Sequence, residues 1–147
     1  MTGERERSRG DRLLAIEATF FLLLSRYGLR LFGFRRLIFT LGAPGPCAPD
    51  PRVVARIAAA VDRGGARLGL TCLRRALAAA WMLRLRGLKP TLHYGVSRTS
   101  GAVQAHAWLE VQGLPVVGHD QASNFALLAS FPGSSGPPLL RNPADRG

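Results

Sequence analysis

The apolar and polar positions divide the chain into a helical first half and a strand-forming second half. From Leu13 to Leu41 there is no proline, Leu and Phe dominate, and charges fall only at Glu17, Arg26, Arg30, Arg35 and Arg36. This predicts one or two helices broken near Gly28 or Gly33, apolar on most sides in the first half and therefore in need of cover. Asp50-Pro51 makes a helix start, and Val53, Val54, Ile57, Ala58 and Val61 repeat at helical spacing up to Gly64-Gly65, which is expected to end the helix. A third helix is predicted from about Cys72 to Arg86, with Thr71 as N-cap and Gly87 and Lys89-Pro90 as the stop. On it Leu73, Leu77 and Trp81 form one ridge, while Cys72, Ala76, Ala79 and Ala80 make a side of small residues that a sheet can approach closely.

After Pro90 the period changes to two. Leu92, Tyr94 and Val96 alternate with His93, Gly95 and Ser97, and the stretch from Arg98 to Gly101 reads as a hairpin turn. In the second strand, Ala102 to Val111, the residues Val103, Ala105, Ala107, Leu109 and Val111 point one way and Gln104, His106, Trp108 and Glu110 the other. Gln112-Gly113 turns the chain into a short third strand, Leu114 to Val117, giving an antiparallel meander. Asn124 to Ser130 resumes an apolar pattern that does not choose between helix and strand. The expected organisation is a single α+β domain over residues 13–130, between a disordered N-terminus (residues 1–12) and a flexible Pro/Gly/Ser tail (131–147), with Gly42 to Pro51 as an internal loop.

Charge narrows the function classes less than its size suggests. The chain has 20 Lys and Arg against 9 Asp and Glu, a net +11. Lys89 is the only lysine, and no aromatic residues alternate with the arginines as a platform for stacking bases requires, so nucleic-acid binding is not expected. Two cysteines form no disulfide framework, and the N-terminus lacks a secretory pattern, so the expected location is cytoplasmic. No transmembrane helix is expected. The apolar helices are read as packing on the domain's own core, with a partner or a membrane surface beneath Arg35 and Arg36 as the less favoured alternative.

The candidate chemistry begins at Cys72. A cysteine in the first turn of a helix meets unpaired N–H groups and the positive end of the helix dipole, both of which favour a thiolate, and Arg74 and Arg75 add positive charge. Its bland alternative is a small buried apolar residue. A cysteine nucleophile needs a nearby base and a group to orient it. Of the three histidines, His106 stands mid-strand, where backbone pairing holds its ring; it can equally be an ordinary strand residue. After Cys72 the only carboxylates are Glu110, Asp120 and Asp145. Glu110 lies roughly 13 Å along the strand from His106 and Asp145 lies in the tail, which leaves Asp120, whose plain reading is a turn aspartate.

The segments Cys72-Leu73-Arg74-Arg75-Ala76-Leu77, Leu85-Arg86-Gly87-Leu88, Tyr94-Gly95-Val96 and Ala105-His106-Ala107-Trp108-Leu109-Glu110-Val111-Gln112-Gly113 resemble the transglutaminase-like leader peptidases of lasso peptide biosynthesis, called B2 proteins. The resemblance covers roughly residues 13–130. It implies a papain/transglutaminase-like fold with the cysteine at a helix N-terminus packed on an antiparallel sheet, and a catalytic triad of Cys72, His106 and Asp120 that needs no cofactor or metal. It further implies a precursor peptide as substrate, a separate leader-binding recognition protein of the B1 type as partner because the chain length leaves no room for such a domain, and a separate ATP-using lasso cyclase acting on the product. One departure stands out: similar proteins carry the acid a residue or two earlier, where this chain has Gly118 and His119.

Two other classes compete. A transglutaminase-like amidase or acyl transferase acting on another peptide or amide would keep the fold, and the nucleophile that resolves the acyl-enzyme, water or an amine, separates these. A non-catalytic basic adaptor on a membrane surface or partner would leave Cys72 unreactive. A zinc site from Cys72, His106 and His119 is a weaker idea, since no pair has close ligand spacing.

Overall fold

The computed structural model describes residues 2–42 and 47–131. Three helices, α1 (Thr2–Phe39), α2 (Pro51–Arg67) and α3 (Cys72–Leu85), precede four strands, β1 (Pro90–Thr99), β2 (Ala102–Val111), β3 (Leu114–Val117) and β4 (Ala126–Phe131), with a 3₁₀ turn at His119–Asn124 between the last two. The strands form one antiparallel sheet in the order β3-β2-β1-β4. The fold is α+β, as the change of period at Pro90 predicts.

α3 is the axis of the molecule. Every residue from Ala76 to Leu83 is buried, because α1 and α2 pack on one side of the helix and the sheet on the other. The sheet face carrying Ala107, Leu109 and Val111 meets α3, and these three are fully buried. Val103 and Ala105, on the same face, lie beyond the helix and are exposed. Both hairpins turn through two left-handed residues, Ser100-Gly101 (φ 53° and 82°) and Gln112-Gly113 (φ 47° and 84°), the backbone that matches the twist of the flanking strands.

The structure departs from the sequence reading at three points and settles a fourth that was open. The stretch 1–12, expected to be disordered, continues α1 back to Thr2: it contains no proline, and Asp11 is held by Arg56 of α2 through hydrogen bonds of 3.2 and 2.8 Å. Gly64-Gly65 does not stop α2, which runs on to Arg67. These glycines serve packing instead. A Cβ on Gly64 would lie 2.7 Å from a methyl of buried Leu22 in α1, and one on Gly65 2.6 Å from Nε of Arg75 in α3. The pattern at Asn124 to Ser130 resolves as strand β4, paired with β1. Phe131, expected in the tail, ends β4 and meets the ring of Phe34 edge-on at 5.6 Å; the remaining tail residues lie outside the described residues.

The break in the first helix falls at Gly33, whose φ of 74° and ψ of 161° are not helical. In an unbroken helix residues 28 and 37 would stand about 13 Å apart. Here Leu37 methyls lie 3.4 Å from where a Gly28 Cβ would be, so the chain after Gly33 folds back on the helix before it. α1 is tied to α3 by Glu17, which accepts two hydrogen bonds from Arg86 at 2.7 and 2.8 Å, and by Thr40, which accepts one from the Trp81 indole at 2.8 Å. Only one face of α1 is covered: Ala18, Leu22 and Ser25 are fully buried, while Leu13, Ile16, Phe20, Tyr27, Leu31 and Phe32 keep more than half their surface exposed. Packing on the domain's own core thus accounts for half of this helix. Among the described residues no helix is long and apolar enough to cross a membrane.

Candidate active site

Cys72 is the first residue of α3, behind Thr71 in the N-cap position with extended backbone. Thr71 caps through its backbone geometry alone; its side chain makes no capping hydrogen bond. The thiol is partly exposed and free. Pairing between β2 and β3 ends at Leu109↔Val117, which leaves the edge of β2 beyond that point open towards α3. There the Ala107 N–H donates to Cys72 Sγ at 3.4 Å. The small-residue side of α3 thus lets the sheet come within hydrogen-bond distance of the sulfur.

His106, the residue before Ala107, is only 8% exposed. Its ring stacks between Trp108 (centroids 6.1 Å apart) and Phe125 (4.9 Å), and Trp108 stacks in turn on His93 at 5.6 Å. Gly95 makes room for this row. It is the cross-strand partner of His106, and a Cβ there would lie 2.9 Å from the Trp108 ring. His106 Nε2 is 2.7 Å from the carbonyl oxygen of Gly118.

Cys72, His106 and Asp120, the three residues singled out from sequence, line one polar pocket of 410 Å³. Asp120 is exposed on the 3₁₀ turn, and among the described residues no hydrogen bond joins it to His106. Two further charged residues line this pocket. Arg75, one turn beyond Cys72, crosses Gly65 and donates from Nε to the Leu70 carbonyl at 3.0 Å. Asp62 of α2 stands at the rim; the protein on its inner side pushes its carboxyl above the usual carboxylate range, the Arg75 charge pulls it down, and the Asp120 charge adds to the rise. Sequence reasoning missed Asp62, whose only signal was being one of few acids in an acid-poor chain, and it missed Gly118, whose contribution is a backbone atom.

The remaining histidines belong elsewhere. Glu110 lies 3.2 Å from His93 Nε2 and 3.8 Å from His119 Nε2, and His93 Nδ1 is 2.7 Å from Ser130 Oγ. His119 is thus drawn to Glu110 and does not line the pocket with Cys72 and His106. Among the described residues no group of three His, Cys, Asp or Glu side chains has the geometry of a metal site, which leaves the zinc idea without support.

A sulfur at a helix N-terminus beside a strand histidine can run acyl transfer through a thioester. A family model described as the transglutaminase-like superfamily matches residues 20–130, the span that contains the pocket and everything that shapes it. No curated protein and no solved structure matches the chain.

Proposed function

The chain belongs to the transglutaminase-like superfamily, and from that premise we propose that it is a cysteine peptidase that removes the leader from a ribosomally made lasso precursor peptide. The observation that carries the reading is the meeting of Cys72, at the N-terminus of α3, and His106 of β2 in one pocket, with the Ala107 N–H donating to the sulfur. The assignment to a leader peptidase rests on the sequence blocks around Cys72 and from Ala105 to Gly113.

In this mechanism His106 takes the thiol proton as Cys72 Sγ attacks the carbonyl carbon of the scissile amide. The oxyanion that forms can accept from the Cys72 N–H, unpaired within the helix because it opens the first turn. The tetrahedral intermediate collapses to a thioester as His106 passes its proton to the leaving amine. Water, deprotonated by the same ring, then releases the acyl group and regenerates the thiol. The products are a leader with a new carboxylate and a core peptide with a free amine, which a separate lasso cyclase closes onto an acidic side chain. No cofactor is needed. The chemistry requires a reduced thiol, which fits a cytoplasmic enzyme.

The pocket is small, so selectivity for one precursor is assigned to a partner, a leader-binding recognition protein of the B1 type that raises the local substrate concentration. The uncovered apolar face of α1 is the docking surface in this reading. The test is cleavage of a precursor peptide read by mass spectrometry, with and without the partner and with an added amine. Hydrolysis that vanishes in Cys72→Ala supports the proposal. Amine incorporation in place of hydrolysis makes the enzyme an acyl transferase, and no Cys72-dependent product in the presence of the partner sinks both.

A further inference from the structure

We infer that the group orienting the His106 imidazole is the backbone carbonyl of Gly118 and not the carboxylate of Asp120; this rests on the peptidase reading for its consequence, though not for its geometry. A carbonyl oxygen only accepts, so the 2.7 Å contact requires a proton on Nε2. The neutral ring is thereby held as the Nε2–H tautomer, with its lone pair on Nδ1. In the proposed reaction Nδ1 takes the thiol proton, and the Nε2–H bond to Gly118 persists through protonation and deprotonation.

The surroundings of Gly118 are built for this contact. Its φ of 73° and ψ of 8° put it in the left-handed region, the N-cap of the 3₁₀ turn, and that conformation follows directly from β3. A Cβ at this position would stand 2.8 Å from the Ala107 carbonyl oxygen and 3.2 Å from His106 Nε2. Only a residue without a side chain fits between β2 and the ring, so the backbone can come within hydrogen-bond reach of the imidazole. Trp108 and Phe125 hold the ring plane from either side, leaving rotation within that plane to the Gly118 contact. Asp120, two residues on and exposed, belongs to the charged wall with Asp62 and Arg75.

The choice of a carbonyl over a carboxylate has a chemical consequence. A carboxylate both fixes the tautomer and stabilises the imidazolium with a full charge, whereas a carbonyl fixes the tautomer and contributes only a dipole. Orientation should therefore survive loss of Asp120 and fail with loss of the Gly118 geometry.

The experiment is long-range ¹H–¹⁵N NMR of histidine-labelled protein, which reads the tautomer of His106, together with the pH profile of Cys72 alkylation against Cys47 as internal control. Both are measured on the parent, Asp120→Asn, Gly118→Ala and His106→Ala. The expected result is an Nε2–H tautomer in the parent and, unchanged, in Asp120→Asn. Gly118→Ala should lose the single tautomer and slow Cys72 alkylation below neutral pH by about tenfold or more, towards the His106→Ala rate. A changed tautomer in Asp120→Asn overturns the inference, as does an unaltered ring in Gly118→Ala. If Gly118→Ala does not fold, the spectrum of Asp120→Asn alone decides. A parent with the Nε2–H tautomer but a Cys72 that is indifferent to His106→Ala would refute the peptidase reading and leave the positioning intact.

Discussion

The two ends of α3 open onto hollows of nearly the same size and opposite chemistry. At the N-terminal end the 410 Å³ pocket is lined by Cys72, Asp62, Arg75, His106 and Asp120; at the C-terminal end a 390 Å³ hollow is lined by Phe21, Leu24, Phe32, Leu37, Trp81 and Leu85. The polar pocket is made by close approach: glycines at 65, 95 and 118 let Arg75, Trp108 and His106 lie against backbone that any Cβ would push away. The apolar hollow includes the exposed Leu24 and Phe32 of α1, whose uncovered face also carries an apolar stripe through Leu13, Ile16, Phe20, Leu23 and Tyr27 in alternating steps of three and four. One end is held to fixed geometry, and the other is an exposed apolar surface. In the proposed reading, the same helix that holds the thiol separates chemistry from docking.

That division makes opposite demands on mutants at the two ends. Cys72→Ala should take peptide cleavage to background while leaving the melting temperature nearly unchanged, since the thiol is partly exposed. His106→Gln should cost about 10²- to 10⁴-fold in cleavage rate. On α1, Ile16→Glu or Leu31→Glu should leave urea stability within about 0.5 kcal/mol of the parent, because these side chains already face water. The same variants should weaken partner-dependent cleavage by about tenfold or more, a loss of about 1.4 kcal/mol of docking free energy. If they lose cleavage without the partner as well, the exposed face of α1 and the polar pocket are coupled and the division fails.

A smaller effect probes the packing between them. Gly64→Val drives a branched side chain at the methyl of Leu22, which is fully buried and has nowhere to move. Overpacking of this kind costs about 1–3 kcal/mol, so the urea midpoint should fall. Catalysis in the surviving folded fraction should hold, because Gly64 faces α1 and the pocket does not touch it.

The misreading of Gly64 and Gly65 marks where sequence and structure part. Elements written in periodicity were legible: α2 and α3 start where Asp50-Pro51 and Thr71-Cys72 put them, and the hairpins turn at Ser100-Gly101 and Gln112-Gly113. Glycine is ambiguous in a sequence, because one residue serves as a helix stop, a left-handed turn or a gap for a neighbour, and only the neighbour decides. Leu22 and Arg75, far away in the chain, made the decision here. The site divided in the same way. Cys72 and His106 were singled out from residue type and position in an element, and the structure brings both to one pocket. The partner of the His106 ring was not, because a search for a third member looks among side chains, and a backbone carbonyl leaves no mark on composition. The missing acid at positions 118 and 119 was the nearest thing to a signal.

The smallest expected effect lies at the rim of the polar pocket. Asp62 has its carboxyl pushed above the usual range by the protein on its inner side, more than Arg75 pulls it back. A carboxyl with a raised folded-state pKa keeps its proton in the native state over a window where the unfolded chain has released it. Native protein then binds more protons than unfolded, so stability falls as pH rises from the ordinary carboxylate value through the raised one. Asp62→Asn removes this slope. The variant should match the parent in acid and exceed it slightly in urea stability at neutral pH, the difference kept small by solvent at the rim. A variant that is less stable than the parent at neutral pH would mean that attraction to Arg75 outweighs desolvation. The charged wall would then be a structural ion pair, and the contrast with the apolar hollow would reduce to two ways of holding α3 in place.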